Sequence, residues 1–201
     1  MRGQFKITGY FYEVGNFSFR KYLNIKTLDC TLEKPDLMVV MMNPGSSAPY
    51  PDDTKKEYNT EVKTKPDITQ DRIMKVMNDC GFSYTRVLNL SDLREVSSKC
   101  FYKKLKTLDS EKIAHSIFDE TRSKDFDKLF NRKAPVIFAW GVNRKLKELS
   151  EKAFLKIDSK NYFGVKKSNE NYAFYHPLIR KNSLNLNWTD EIIKQINTNK
   201  E

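Results

Sequence analysis

The chain has 201 residues, 39% of them hydrophobic and 31% charged, the composition of a soluble globular domain with a core of its own. Its 36 Lys and Arg against 26 Asp and Glu leave a formal net charge of +10, which favours polyanionic partners because neutralised phosphates release condensed counterions. No apolar run approaches the roughly 18 residues of a membrane span. Residues 1–6 lack the apolar stretch of a secretory signal, so the expected location is the cytoplasm. Cys30, Cys80 and Cys100 are widely spaced and form no CxxC pair, and there are two histidines. Neither a metal centre nor a cofactor is expected from them.

Along the chain, residues 4–25 predict a β-hairpin. Its two arms are aromatic and β-branched, and Gly15-Asn16 between them suits a two-residue turn with Gly first. Residues 36–42, 84–90, 135–140 and 172–176 predict buried strands. The first and third are nearly continuous apolar runs, as expected of parallel strands covered on both faces. Helical patterns separate them. Asp67-Ile68-Thr69-Gln70 resembles a capping box, Ile73, Val76, Met77 and Cys80 follow at helical spacing, and Gly81 marks the stop. Ser110 is predicted to cap a helix carrying Ile113, Ala114, Ile117 and Phe118. Phe126, Leu129 and Phe130 share one side of another amphipathic piece. Asn143 opens a helix with Leu146, Leu149 and Ala153, and Thr189 caps the last one, with Trp188 and Ile193 as its staple.

No repeat, low-complexity tract or linker divides the chain. The expectation is one three-layer αβα domain over residues 1–201, with a central four-stranded, mainly parallel sheet and an N-terminal hairpin. Ligands bind beyond the carboxyl ends of strands in such sheets. The loops after Met42, Leu90, Trp140 and Tyr175 are therefore the first candidates for function, and the spans 43–69 and 157–170 read as long polar loops.

Those strand ends carry Met42-Asn43-Pro44-Gly45-Ser46, Leu88-Asn89-Leu90, Ala139-Trp140-Gly141 and Tyr175-His176-Pro177-Leu178. In this order they resemble the uracil-DNA glycosylase superfamily, over about residues 35–197. There, strand one ends in a water-positioning loop of the GQDPY or NPG kind and strand two in an Asn that reads the base. Strand three ends in Trp-Gly, and a His-Pro loop follows strand four. The layout also looks like a family of short bacterial and phage proteins with an Asn-Pro loop, an Asp/Thr segment before the second strand and a His-Pro-Leu near the end. That second likeness carries no function of its own.

The resemblance implies a monofunctional DNA glycosylase, acting as a monomer on DNA without a cofactor. Glycosidic cleavage leaves an oxocarbenium-like sugar and an anionic base, and an enzyme helps by flipping the nucleotide, stabilising the base and holding a water. By resemblance Asn43 holds the water, and His176 donates a hydrogen bond to the 2-oxo group of the leaving pyrimidine. An amide oxygen orients water but is a poor proton acceptor, so Asp52, Asp53 and Asp67 stay open as a true base. Asn89 would read the pyrimidine edge, matching uracil and thymine one way round and cytosine when flipped. GQDPY-type enzymes carry a Tyr that blocks the pyrimidine 5-position. Here Pro44 is followed by Gly45 and Ser46, which leave that side open to thymine or a modified cytosine. Tyr50 and Asp53, in the polar loop that follows, are expected to help bind such a substrate. The superfamily's last loop often reads HPSPLS. This chain has His176-Pro177-Leu178-Ile179-Arg180-Lys181 instead, giving Pro177 and an apolar wedge of Leu178 or Ile179, with Arg180 and Lys181 on phosphates.

Each residue has a plainer reading beside this one. His176 fits a hydrogen-bonded core histidine, Asn43-Pro44-Gly45 a simple turn, and Asn89 a strand-end cap. Trp140 fits packing, His115 a structural histidine in a helix, and the Lys-rich stretches solvated faces. Two rival functions stand beside the glycosylase: a non-catalytic nucleic-acid-binding protein of the same fold, or an enzyme acting on nucleosides or nucleotides. Neither a Walker loop nor GxGxxG is present, which leaves triphosphate and dinucleotide chemistry without support. The biological setting is expected to be defence against phages with modified DNA, or base-excision repair.

Overall fold

The most apolar run of the sequence becomes the middle of the sheet. The computed structural model describes residues 1–50, 59–178 and 187–199. In chain order its strands and α-helices are β1 (Phe5–Val14), β2 (Phe17–Thr27), β3 (Leu37–Met41), β4 (Thr60–Lys63), α1 (Ile68–Cys80), β5 (Tyr84–Asn89), α2 (Ser98–Ser110), α3 (Ser123–Leu129), β6 (Val136–Phe138), α4 (Lys147–Ile157), β7 (Tyr162–Phe163) and α5 (Trp188–Thr198). All of β3 is buried, and it runs parallel to β5 on one side and β6 on the other. Strand alternation sends Leu37, Val39 and Met41 to one face, with Ile73 and Met77 of α1 and Ile192 and Ile196 of α5. Met38 and Val40 go to the other, with Phe101 of α2, Phe126 of α3 and Ala153 of α4. The class is α/β, with helices on both faces.

The sheet itself departs from expectation. It has seven strands in the order β4-β1-β2-β5-β3-β6-β7, not four. The pairings from β4 through β5 are antiparallel and hold most of the paired residues; those from β5 through β7 are parallel. The hairpin is no appendage. Leu23, Asn24 and Ile25 are buried on β2 and pair with Val87, Arg86 and Thr85. Asn24 accepts from the Tyr84 hydroxyl (3.1 Å) and Arg86 Nε (2.9 Å) and donates to Glu61 (3.1 Å), tying β2 to β5 and, across β1, to β4.

Residues 172–176 do not form the expected parallel strand. Phe174 makes only isolated antiparallel bridges, to Gly141 and Lys166. The indole N–H groups of Trp140 and Trp188 take the carbonyls of Tyr172 (2.7 Å) and Tyr175 (3.0 Å), which a ladder would otherwise use. The parallel strand on the outer side of β6 is β7, inside a span read as loop, just as β4 lies inside the other. Gly164 allows the close packing, since a Cβ there would sit 2.5 Å from the Phe174 ring.

Helix α1 forms as predicted. Asp67 accepts from the Gln70 N–H (2.8 Å) and Gly81 ends the helix. Three other helix readings need correction. Ser110 is the last residue of α2 rather than a cap; Ser97 caps α2 by accepting from the Cys100 N–H (3.3 Å), and residues 111–119 are irregular. Asn143 first caps a short 3-10 turn, Arg144–Leu146, which runs into α4. Asn187, not Thr189, caps α5, accepting from the Thr189 N–H (3.2 Å). Among the described residues, no helix is long and apolar enough to cross a membrane.

Two local features break the ordinary pattern of strands and core. The register of β1 against β2 shifts: Tyr10 pairs with Tyr22 but Phe11 with Arg20, leaving Lys21 as an extra residue. Such a bulge reverses the facing of the side chains beyond it. Arg20 thereby joins the face of Leu23 and Ile25 instead of that of Tyr22. Separately, the fully buried Asp92 accepts from Arg122 (2.6 Å) and from the Tyr12 hydroxyl (2.9 Å). Burial pushes its carboxyl above the ordinary value, and Arg122 and Tyr12 pull it back down.

Candidate functional site

Beyond the carboxyl ends of β3 and β6 lies a pocket of about 700 Å³. It is bounded by the Asn43–Ser46 loop, the start of α1, Trp140 and His176. The chain leaves β3 and turns at Gly45, whose φ of +59° favours glycine. The turn closes with Ser47 N–H donating to Pro44 O (3.2 Å). Pro44 is buried, Gly45 half-buried and Ser46 exposed, and all three line the pocket. Asn43 Nδ2 donates to the carbonyls of Leu93 (3.2 Å) and Glu95 (2.7 Å). Two facing carbonyls fix which end of the amide is nitrogen. Both N–H groups are thus engaged, and the oxygen is the atom Asn43 has left for a water.

His176 is half-buried in the same pocket. Its Nδ1 accepts from the Leu178 N–H (3.2 Å), so the neutral ring carries its proton on Nε2. Burial pushes its pKa below 6.5, with Asp67 pulling weakly the other way. The site therefore presents a neutral N–H donor at pH 7. Pro177 is buried, and Leu178, 44% exposed, stands at the rim. Ile179, Arg180 and Lys181 lie outside the described residues.

Of the three aspartates left open, Asp67 lines the pocket; Asp52 and Asp53 lie outside the described residues. Asp67 already serves as the cap of α1, but each carboxylate oxygen keeps a second lone pair for a water. Tyr50 is 40% exposed, pairs through its N–H with Lys63 O (3.1 Å) and is not among the pocket-lining residues. Asn89 is fully buried at the end of β5, and neither its Nδ2 nor its Oδ1 has a hydrogen-bond partner. It sits on the same strand face as Val87, which lines the pocket, but is not itself among the lining residues. A buried amide with nothing to bond is costly, and the plain reading of Asn89 as a backbone cap fails here. Trp140 is the packing residue expected, buried edge-on to Phe154 and Phe174, though it also walls the pocket.

The sequence reading missed Arg20. It lines the pocket while only 3% exposed, and among the described residues no ion pair or hydrogen bond holds its side chain; Nε is buried without a partner. Burial lowers its pKa to about 10, with Arg94 adding to the effect and Asp67 and Asp92 opposing it, so it is charged at neutral pH. Gln70, also in the wall, has its Oε1 buried and unpartnered. The one signal for Arg20 was a charged residue within an aromatic strand, and a strict period of two would have turned it the other way.

A second cavity, about 1050 Å³, runs between α2 and the 3-10 turn and start of α4. Lys99, Lys103, Lys106, Lys112, Lys145 and Lys152 line it beside Asp109, Asp119, Glu120 and Glu148, and Tyr102 lines both cavities. On its wall, His115 is buried in irregular chain rather than in a helix, 3.0 Å from Ser91 Oγ and 3.2 Å from Asp109. This Ser–His–Asp order has the burial of a nucleophilic triad reversed: Ser91 is sealed and Asp109 open. It is a structural link. Among the described residues, no group of three or more His, Cys, Asp or Glu could hold a metal ion.

Fold and site together define an α/β protein with a pocket at the carboxyl ends of its parallel strands, apolar walls carrying a few polar groups. A family model described as a protein of unknown function (DUF1643) matches residues 25–178, and the chain belongs to that family. No curated protein and no solved structure matches it.

Proposed function

We propose that the protein is a monofunctional DNA glycosylase: it flips a pyrimidine nucleotide into the pocket and hydrolyses its glycosidic bond, leaving an abasic site. The observation that carries this reading is the pairing, in one pocket, of a neutral histidine with its proton on Nε2 and an amide whose N–H groups are engaged elsewhere. The first suits an oxygen gaining charge, and the second a water approaching the sugar. The order of motifs resembling the uracil-DNA glycosylase superfamily supports the same assignment. In the reaction the bond from C1′ to the base breaks and its electron pair leaves with the base. His176 donates to the 2-oxo group, a water held at Asn43 adds to C1′, and its proton passes by way of solvent or Asp67 to the base anion, which leaves as the neutral base.

The open wall at Gly45 favours a pyrimidine with a 5-substituent, such as a modified cytosine of phage DNA, or mismatched thymine or uracil. Defence against such phages, or base-excision repair, is the corresponding role. The lysine-lined cavity next to the pocket suits the phosphates of a bound strand.

The test incubates the protein with duplex and single-stranded DNA containing uracil, mismatched thymine, 5-hydroxymethylcytosine or its glucosylated form, followed by alkali. Strand breaks at one kind of base, absent with Asn43→Ala, are expected. Salt-sensitive binding without breaks on any substrate would replace the reading with a non-catalytic nucleic-acid-binding protein of the same fold. Asp67→Asn separates chemistry from capping, because Asn caps about as well as Asp. Its melting temperature is expected to stay within about 2 °C. Single-turnover cleavage should fall about 100-fold if the carboxylate takes the water's proton; an unchanged rate removes Asp67 from the reaction.

A further inference from the structure

We propose that Arg20 is a second anion-stabilising group of the pocket, contacting the departing pyrimidine as a planar oxyanion. This deepens the glycosylase reading and rests on it. Arg20 lines the pocket, is almost wholly buried, and its side chain has neither an ion pair nor a hydrogen bond among the described residues. An unpaired buried charge costs several kcal/mol, so the fold keeps a group that no internal contact explains. A guanidinium offers planar, paired N–H donors that match two acceptors of a flat anion. Cleavage creates such an anion: the electron pair of the broken bond spreads over the ring nitrogen and the 2-oxo oxygen. Gln70 Oε1, buried in the same wall and without a hydrogen-bond partner among the described residues, offers an acceptor to the rest of a pyrimidine edge.

The deep position of Arg20 favours the base over a backbone phosphate, which would stay at the rim. Charge in the pocket also singles out the ligand's own titration. Asp67, Asp92 and Arg94 are the charged groups that face Arg20 as the ligand is titrated between pH 7 and pH 9. Over the same range His176, held below its ordinary value, stays neutral, as does the Tyr102 phenol, which burial pushes up.

The experiment titrates the whole protein with uracil and with the more acidic 5-fluorouracil from pH 7 to 9, by calorimetry, with inorganic phosphate as a third probe. Wild type is expected to bind each base more tightly as that base deprotonates, 5-fluorouracil responding at lower pH. Arg20→Met should lose that rise and bind the anion about 10- to 100-fold more weakly. Its melting temperature should hold or increase, because an apolar side chain replaces an unpaired charge; a clear drop would mean that Arg20 is structural and overturn the proposal. Binding that does not change with pH, or that survives in Arg20→Met, overturns the role of Arg20 and leaves the base pocket standing. If neither base binds at any pH, both readings fall. Phosphate binding lost in Arg20→Met would then reassign the site to phosphoryl groups.

Discussion

Replacing His176 with Ala is expected to slow single-turnover cleavage by on the order of 100- to 1000-fold, the usual loss when one donor to a developing oxyanion is removed. His176→Gln, which keeps a donor of similar reach, should recover part of it. The pH profile carries a sign. The working form is neutral, with Nδ1 accepting from Leu178 and Nε2–H free to donate. Burial holds the pKa below 6.5, so the rate should stay level as pH falls through 6.5 and decline only below it. A decline that begins above 6.5 would mean that the ring acts in another state. An Ala variant as fast as wild type would remove the histidine from the mechanism.

The largest stability effect is expected at Arg122. Asp92 is sealed from solvent and its charge is held by Arg122 at 2.6 Å, with the Tyr12 hydroxyl at 2.9 Å. Arg122→Met should cost about 3–5 kcal/mol, because the carboxylate then stays buried without its cation. The sign of the pH dependence is set by Asp92. Without Arg122 the folded pKa of Asp92 rises further above its unfolded value, so the folded state binds the extra proton. The loss is then greatest near pH 7 and shrinks as the pH falls through that raised value. Urea unfolding at pH 7 and pH 5 measures it. Adding Asp92→Asn to the Met variant should restore much of the loss; a double variant no better than the single would assign the damage to packing.

Much of the parallel half was legible because its signals are local. The run at 37–41 is apolar at every position, which only a strand covered on both faces tolerates. Asp67 and Gly81 mark the ends of α1 with groups that do one thing well. Of the antiparallel half only the hairpin of β1 and β2 was legible. Whether the hairpin stands alone or extends the sheet depends on β5, some sixty residues later along the chain. Residues 172–176 read as a strand by composition, yet two indole N–H groups claim the carbonyls. At the site, Asn43 and His176 were visible as motif residues, and the pocket does hold both. Arg20 was hidden because a single extra residue, Lys21, reverses its facing, and bulges leave little trace in a hydrophobic pattern.

The matched family segment begins at residue 25, whereas the sheet does not. β1 and most of β2 precede that point, yet β2 covers the outer side of β5 and delivers Arg20 to the pocket. A chain trimmed to residues 25–178 would present the backbone of β5 as a bare edge, with an apolar face beside it. Open edges of this kind recruit other strands. Such a fragment is expected to self-associate rather than to serve as a minimal working unit, and any excised version should start upstream of Phe5.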